Sequence, residues 1–281
     1  MTRSPLISVA ALAKMLDDRN VVVFDCQHDL MNPGAGEQAY AKAHIPGARF
    51  AHVDRVLAGP LTGHNGRHPL PDPATFIAWL GSQGVSNSTR VVAYDGAGGM
   101  YAARLWWMLG HWLGHRDVAV LDGGWDIWVK SGQPVTADLP TITAATFAAT
   151  VDPAVTVSTG DVLAALGNPV MQIIDARAND RFHGQNETID PVGGHIPGAL
   201  NRVFRDNLDA QGFFKPVTAL GADFESLIGT RPLQTIVHQC GSGITAAHNL
   251  LAMEVAGLSG TRLYPGSWSE WCADPSRPVE R

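Results

Sequence analysis

SVAALAKMLDDRNVVVFD (residues 8–25) and STGDVLAALGNPVMQIID (residues 158–175) are two versions of one design. Each opens on a serine suited to cap a helix, runs through apolar residues at helical spacing, breaks, and ends in an apolar strand closed by an acid. Three further landmarks repeat in the same order. His44-Ile-Pro-Gly-Ala48 is matched by His195-Ile-Pro-Gly-Ala199, VVAYDGAGG (residues 91–99) by TIVHQCGSG (235–243), and GGWDIW (123–128) by GSWSEW (266–271). The chain is therefore two copies of one unit. Strands alternating with helices predict an α/β fold, each copy a mainly parallel sheet with helices on both faces. The Pro-, Thr- and Ala-rich stretch 132–158 suits an ordered linker better than a flexible tether. The boundary is placed near residue 145, giving domains 1–145 and 146–281.

Composition agrees with two folded domains. The 281 residues are 45% hydrophobic and 16% charged, which excludes a disordered chain. Against 26 acidic residues stand 20 Lys and Arg, and the net charge of −6 is the wrong sign for wrapping nucleic acid. The opening residues 1–18 lack the apolar core of a signal peptide. No stretch approaches the ~20 apolar residues of a membrane span. The cysteines, Cys26, Cys240 and Cys272, form no Cys-x-x-Cys pair, so neither a zinc ribbon nor a thioredoxin motif is expected. These features predict a soluble protein of a reducing compartment, the cytoplasm, with no nucleic-acid or membrane partner and no metal site.

The copies differ where chemistry is expected. In open parallel sheets, ligands sit beyond the carboxyl ends of the strands. There the alignment sets Asp95 opposite Cys240. Cys240 ends a strand and begins the run Gly241-Ser242-Gly243-Ile244-Thr245, whose glycines let successive N–H groups turn toward one point, an anion-binding nest. A helix starting near Thr245 adds its positive end. A thiol so placed is expected to favour its nucleophilic thiolate, and the cradle would also hold a second sulfur attached to it. Cys26 and Cys272 lack such surroundings and read as buried core. His44 and His195 occur in both copies although only one has a nucleophile, which points to a structural role. The same logic makes core residues of Trp125, Trp128, Trp268 and Trp271, and turn braces of Asp25 and Asp175.

The HIPGA boxes, the Asp175-Ala-Arg177 segment leading to Arg181-Phe182, and the loop Cys240-Gly-Ser-Gly-Ile-Thr245 together resemble the two-domain sulfurtransferases of the rhodanese family, over essentially the whole chain. The resemblance implies tandem rhodanese-like domains, the first catalytically silent and the second carrying the cysteine. It implies transfer of sulfane sulfur from a small donor, through a persulfide on Cys240, to a thiophilic acceptor (a small thiol, a thioredoxin-like protein, or cyanide in an assay). No cofactor is implied. Mercaptopyruvate-using relatives typically carry Cys-Gly-Ser-Gly-Val-Thr, which this loop matches with Ile244 for Val, whereas thiosulfate-using relatives typically carry cations there. Thiosulfate is a compact dianion, while mercaptopyruvate offers one carboxylate that a guanidinium can grip with two hydrogen bonds.

By the same resemblance Arg181 is the donor-binding arginine, with a structural ion pair as its alternative. Arg177 is the other cation there, and pairing with Asp175 or Asp180 is its better reading. A second arginine about nine residues after Arg181, usual in mercaptopyruvate-type relatives, is replaced by the acidic stretch 185–191. Arg202 and Arg205 are the other cations nearby. Ser242 is either a donor to the substrate carbonyl or a small turn residue. The family links this serine with a histidine and an aspartate, which match His68 and Asp54, with His64 competing for the histidine's place. Tyr101 matches a tyrosine near the family's site, with core packing as the equal alternative.

Other classes fit less well. A cysteine phosphatase needs an arginine six positions after its cysteine, and position 246 is alanine. The glycines after Cys240 fit a loose dinucleotide fingerprint, but too little chain follows for the rest of that fold. A non-catalytic binding or sulfur-relay module has no need of an intact nucleophile loop.

Overall fold

Ser8 and Ser158 each cap a helix. Ser8 Oγ accepts from the Ala11 N–H at 3.3 Å, and Ser158 forms a reciprocal capping box with Asp161. The helices they open, Val9–Ala13 and Thr159–Ala164, are short. Each leads into the strand that anchors its sheet. The structure, a computed structural model, describes residues 4–281; the first three residues of the amino-terminal segment lie outside that range.

The chain forms two compact units. One holds the chain up to Gly59, Pro71–Asp152 and Ala210–Phe213. The other holds Pro60–Leu70, Pro153–Asp209 and Phe214–Arg281. In the first unit the strands are β1 (Leu6–Ile7), β2 (Val21–Asp25), β3 (Arg49–Phe50), β4 (Arg90–Tyr94) and β5 (Val118–Leu121), in the order β1-β5-β4-β2-β3. In the second they are β6 (Gln172–Asp175), β7 (Leu200–Asn201), β8 (Ile236–Gln239) and β9 (Arg262–Leu263), in the order β7-β6-β8-β9. All these pairings are parallel. An isolated parallel bridge from Thr156 to Leu263 stands where β1 stands in the first unit. Helices flank both sheets, as the crossovers of a parallel sheet require.

The β-branched strands are buried on both faces. Val23, Val92 and Leu121 pack with Trp128 in the first unit, and Ile173 and Val237 with Trp268 and Trp271 in the second. Each such aliphatic side chain contributes about 1.5–3 kcal/mol on burial. Trp128, Trp268 and Trp271 are fully enclosed, and their indole N–H groups donate to the carbonyls of Pro134, Val192 and Pro278. Trp125 differs: it is half-buried and lies along the edge of its cluster.

The two HIPGA histidines do the same structural work. His44 stacks on Tyr40 at 4.0 Å and pairs its backbone with Thr136; His195 stacks on Phe182 at 3.7 Å and pairs with Glu280. Each thereby ties its turn to the chain that leaves its own unit's last helix. Asp25 accepts from Tyr94 Oη at 2.6 Å and from the Gln27 backbone, bracing the end of β2. The linker is ordered along the first unit through Ala145 N–H to Gly81 O and Asp152 N–H to Trp112 O. Among the described residues, no helix is long and apolar enough to cross a membrane.

His238, within β8, is fully buried with only Met253 Sδ against Nε2, and burial pushes its pKa down to about 3. The unfolded chain therefore takes up a proton that the folded chain refuses. Stability should fall as pH drops below the ordinary value near 6.5 and level off near 3, at about 1.4 kcal/mol per pH unit in between. Urea denaturation at pH 7, 6 and 5 checks this. His238→Leu should lose stability less steeply, and equal slopes for the two proteins would refute the assignment.

Candidate active site

The loop after β4 in the first unit displays the cradle with an anion already in it. Asp95 is fully buried, and its carboxylate accepts from the N–H groups of Ala97, Gly99, Tyr101 and Ala102 at 2.7–2.9 Å. Four donors on two oxygens suit the ionised acid, whose oxygens only accept. Burial raises the Asp95 pKa from its ordinary value, against the lowering pull of these same N–H groups.

In the second unit the matching loop holds Cys240, 2% exposed. Its Sγ accepts from Ser242 N at 3.4 Å and Gly243 N at 3.2 Å. Gly243 has φ +80°, the left-handed conformation that turns the chain inward. Ile244 precedes the helix Thr245–Val255, whose first turn follows directly on the cradle.

The backbone around the thiol is fixed from behind. Cys240 N–H donates to Ser267 Oγ at 3.1 Å, and Cys240 O accepts from Trp268 N–H at 2.9 Å. Ser267 holds φ +56°, where its counterpart Gly124 holds +55°. A β-carbon on Gly124 would lie 2.3 Å from Asp95 O, whereas Ser267 keeps its side chain and gives its oxygen to the Cys240 N–H. A serine in a glycine conformation is strained by about 1–3 kcal/mol, and that hydrogen bond is what the strain maintains.

Segment Pro60–Leu70 packs with the second unit and brings His68 and Arg67 to this loop. His68 Nδ1 lies 2.6 Å from Ser242 Oγ, and both residues are buried. His64 is exposed. Arg67 N–H donates to Ser269 Oγ at 3.0 Å, and its guanidinium pairs with Asp190. Arg181 grips Glu187 through Nε and Nη2 and reaches Asp190 Oδ2 at 3.0 Å. Arg177 is bound to Asp175 and to Gly194 O, and lies over the Trp268 ring. Arg202 is held by Asp223, and Arg205 lies over Phe204. Asp54 and Tyr101 belong to the first unit. There Asp54 is 3.8 Å from His28 Nε2, and the Tyr101 ring meets His28 edge-on at 5.2 Å.

The site thus contains Arg67 and Ser267, which sequence reasoning passed over, and Glu187 and Asp190, acids of the stretch 185–191 to which it gave no role. Arg67 sits beside the singled-out His68, but nothing in its spacing links it to Asp190, 123 positions away. Burial raises the Asp190 pKa from its ordinary value even with Arg67 beside it. Burial pushes Glu187 the same way, but Arg181 and two backbone N–H groups outweigh it and leave Glu187 below the ordinary value. Of the other cysteines, burial raises Cys272 to about 11 and Cys26 well above its ordinary value, which keeps both as inert thiols.

The second unit thus sets a thiol in a backbone cradle at the end of the central strand of a duplicated parallel α/β unit. Residues 8–131 and 158–274 each match the rhodanese-like domain family, and the chain belongs to that family. It is 43% identical over 281 residues to a Pseudomonas aeruginosa protein named "Probable 3-mercaptopyruvate sulfurtransferase", covering 99% of each chain. It is 38% identical over 251 residues to the thiosulfate sulfurtransferase of Bos taurus, covering 85% of this chain and 82% of that protein. Among solved structures it resembles SseA from Escherichia coli, described with the 3-mercaptopyruvate sulfotransferases, with a TM-score of 0.80, 31% identity, and 95% of this chain and 100% of that chain covered.

Ser267→Ala should orphan the buried Cys240 N–H and keep the backbone strain, costing about 1–3 kcal/mol. Ser267→Gly loses the same hydrogen bond but relieves the strain, so it should cost about 1 kcal/mol less than Ala. Chemical denaturation of the three proteins decides this; Ala proving as stable as Gly would show that the conformation at 267 is not strained.

Proposed function

We propose that this chain is a sulfurtransferase that takes sulfur from 3-mercaptopyruvate, holds it as a Cys240 persulfide, and passes it to a thiol acceptor. The supporting observation is the pair of sister loops: one turns four N–H groups onto a carboxylate, and the other turns its N–H groups onto Cys240 Sγ. A cradle built for negative charge stabilises both the attacking thiolate and the persulfide anion that follows. The catalytic half is 146–281, and 1–145 is the silent copy.

The thiolate attacks the donor sulfur, forming the S–S bond as the S–C bond breaks, and the electron pair leaves as the enolate of pyruvate. His68 Nδ1 holds Ser242 Oγ at 2.6 Å, and in the tautomer that donates from Nδ1 the serine is free to turn its own hydrogen to the enolate oxygen. Protonation of the enolate carbon gives pyruvate. Arg181 receives the donor carboxylate, and the amides of Gly241, Ser242, Gly243, Ile244 and Thr245 line the persulfide pocket. An acceptor thiolate, from a small thiol or a thioredoxin-like protein, then attacks the outer sulfur and releases the Cys240 thiolate. Arg177, committed to Asp175, positions the wall rather than the donor. A reducing cytoplasm suits a chain whose three cysteines are all free thiols.

Local charge favours this donor over thiosulfate. Arg67, Arg177 and Arg181 are matched by Asp175, Glu187 and Asp190, and the loop itself adds no cation. A monoanion held by directional hydrogen bonds suits such a balanced site better than a compact dianion does.

Steady-state kinetics with 3-mercaptopyruvate and with thiosulfate, cyanide as acceptor, tests the reading. The expected result is ping-pong kinetics, a higher kcat/KM for mercaptopyruvate, and no turnover in Cys240→Ser. After donor alone, intact-mass spectrometry should find the wild-type protein heavier by one sulfur atom and the variant unchanged. A higher kcat/KM for thiosulfate would reverse the donor assignment, and transfer by Cys240→Ser would end the persulfide mechanism.

A further inference from the structure

Gly241, the residue next to the nucleophile, has two guanidinium groups lying against it. A β-carbon at that position would come within 2.8 Å of Arg67 Nη2 and 3.9 Å of Arg181 Nη1 and Nη2. A side chain here would have to push the Arg67 guanidinium aside. Asp190 sets them side by side, accepting from Arg67 Nη1 on Oδ1 and from Arg181 Nη2 on Oδ2. Glu187 takes Nε and Nη2 of Arg181 from the other side. Among the described residues Nη1 of Arg181 and both Nη2 and Nε of Arg67 are left uncommitted, and of these Arg181 Nη1 and Arg67 Nη2 face Gly241.

We propose that Arg67 is the second donor-binding residue of this site, and that Nη2 of Arg67 and Nη1 of Arg181 together receive the donor's carboxylate. The proposal rests on the reading above, in which the donor carries a carboxylate. Two N–H donors from separate guanidinium groups give a carboxylate one partner for each oxygen, with the geometry set before the donor arrives. Arg67 comes from Pro60–Leu70, the segment that also brings His68, so one short loop supplies both the carboxylate partner and the partner of Ser242. Asp190 is a positioning residue: it offsets the charge of both arginines while leaving free the N–H groups that point at the donor. The site thereby handles a carboxylate with an aspartate where mercaptopyruvate-type relatives usually carry a second arginine.

The test must separate donor binding from mere pairing with Asp190. Arg67→Gln should lower kcat/KM for 3-mercaptopyruvate about 10- to 100-fold, the loss expected for a charge-assisted hydrogen bond, with the change in KM and kcat nearly kept. Arg67→Lys should recover part of it. If Arg67 serves only to neutralise Asp190, then adding Asp190→Asn to Arg67→Gln will restore kcat/KM; if Arg67 binds donor, the double variant stays impaired. Restoration in the double variant, or less than about a threefold effect of Arg67→Gln, overturns the proposal.

Pyruvate binding to the Cys240→Ser protein, read by calorimetry, probes the clamp without turnover. Loss of that binding on adding Arg67→Gln supports the clamp even if thiosulfate proves the better donor. Equal pyruvate affinity with and without Arg67, or no binding with Arg67 present, overturns the clamp even if mercaptopyruvate turnover is confirmed. Thermal melts of each variant show that the fold is retained.

Discussion

Backbone N–H groups converging at the end of the central strand set the terms for both units. A buried N–H without an acceptor costs about 1–3 kcal/mol, so a loop that turns several inward must close around something negative. In the first unit the something is internal: the Asp95 carboxylate takes four of them and the turn is complete. In the second a sulfur atom stands in that place, accepting two N–H bonds at 3.2–3.4 Å. Weak sulfur acceptance leaves that cradle with capacity for more negative charge than the thiol itself brings. In the proposed mechanism a persulfide fills it. The two copies are thus the same electrostatic device with different occupants.

The rest of the second unit follows from holding that sulfur still. Ser267 accepts a left-handed backbone to give the Cys240 N–H a partner, and Trp268 and Ser269 donate to the carbonyls of Cys240 and Gly241. Trp268 is itself fixed by its indole bond to Val192 O and by the Arg177 guanidinium 4.6 Å from its ring centroid. The wall behind the nucleophile is therefore built from the last landmark of the repeat, GSWSEW, and the matching GGWDIW holds Asp95 O in the same way through the Trp125 N–H. Preorganisation here belongs mostly to the backbone at the ends of β8 and β9, helped by the Ser267 hydroxyl and the Trp268 indole.

That locality explains what the sequence made legible. The parallel sheets, the serine caps, the anchoring role of both histidines and the cradle around Cys240 all leave marks within a few residues: an alternation of elements, a capping side chain, a glycine needing positive φ. Periodicity and duplication report such features because the contacts are short in sequence or repeated. Trp125 shows the limit of duplication, since its copy Trp268 is enclosed while it stays half-buried. The arginine cluster left no comparable mark. Arg67 meets Asp190 and Ser269 from 123 and 202 positions away, and no pattern of period 2 or 3.6 encodes such pairings. Nor does residue type reveal which arginine is tied up: Arg177 and Arg181 look alike in the sequence, yet Arg177 is 3% exposed and locked to Asp175 while Arg181 keeps one face toward the loop.

The acids around these arginines are as necessary as the arginines. Three guanidinium groups gathered at one largely buried place would repel one another, and each would carry a desolvation penalty of several kcal/mol without a partner. Asp175, Glu187 and Asp190 remove that penalty, but an acid that consumed every N–H would also close the site to a donor. The arrangement avoids this by geometry: Asp175 takes Nε and Nη2 of Arg177, whereas Asp190 spends one oxygen on each of Arg67 and Arg181 and leaves Arg67 Nη2 and Arg181 Nη1 toward Gly241. The first unit needs no such compromise. There Tyr94 Oη satisfies Asp25 with a neutral bond, and no arginine is required beside it. In the second unit the cradle's occupant is a thiol, and the guanidinium groups beside it are balanced by acids of which two, Glu187 and Asp190, lie in the stretch after Arg181.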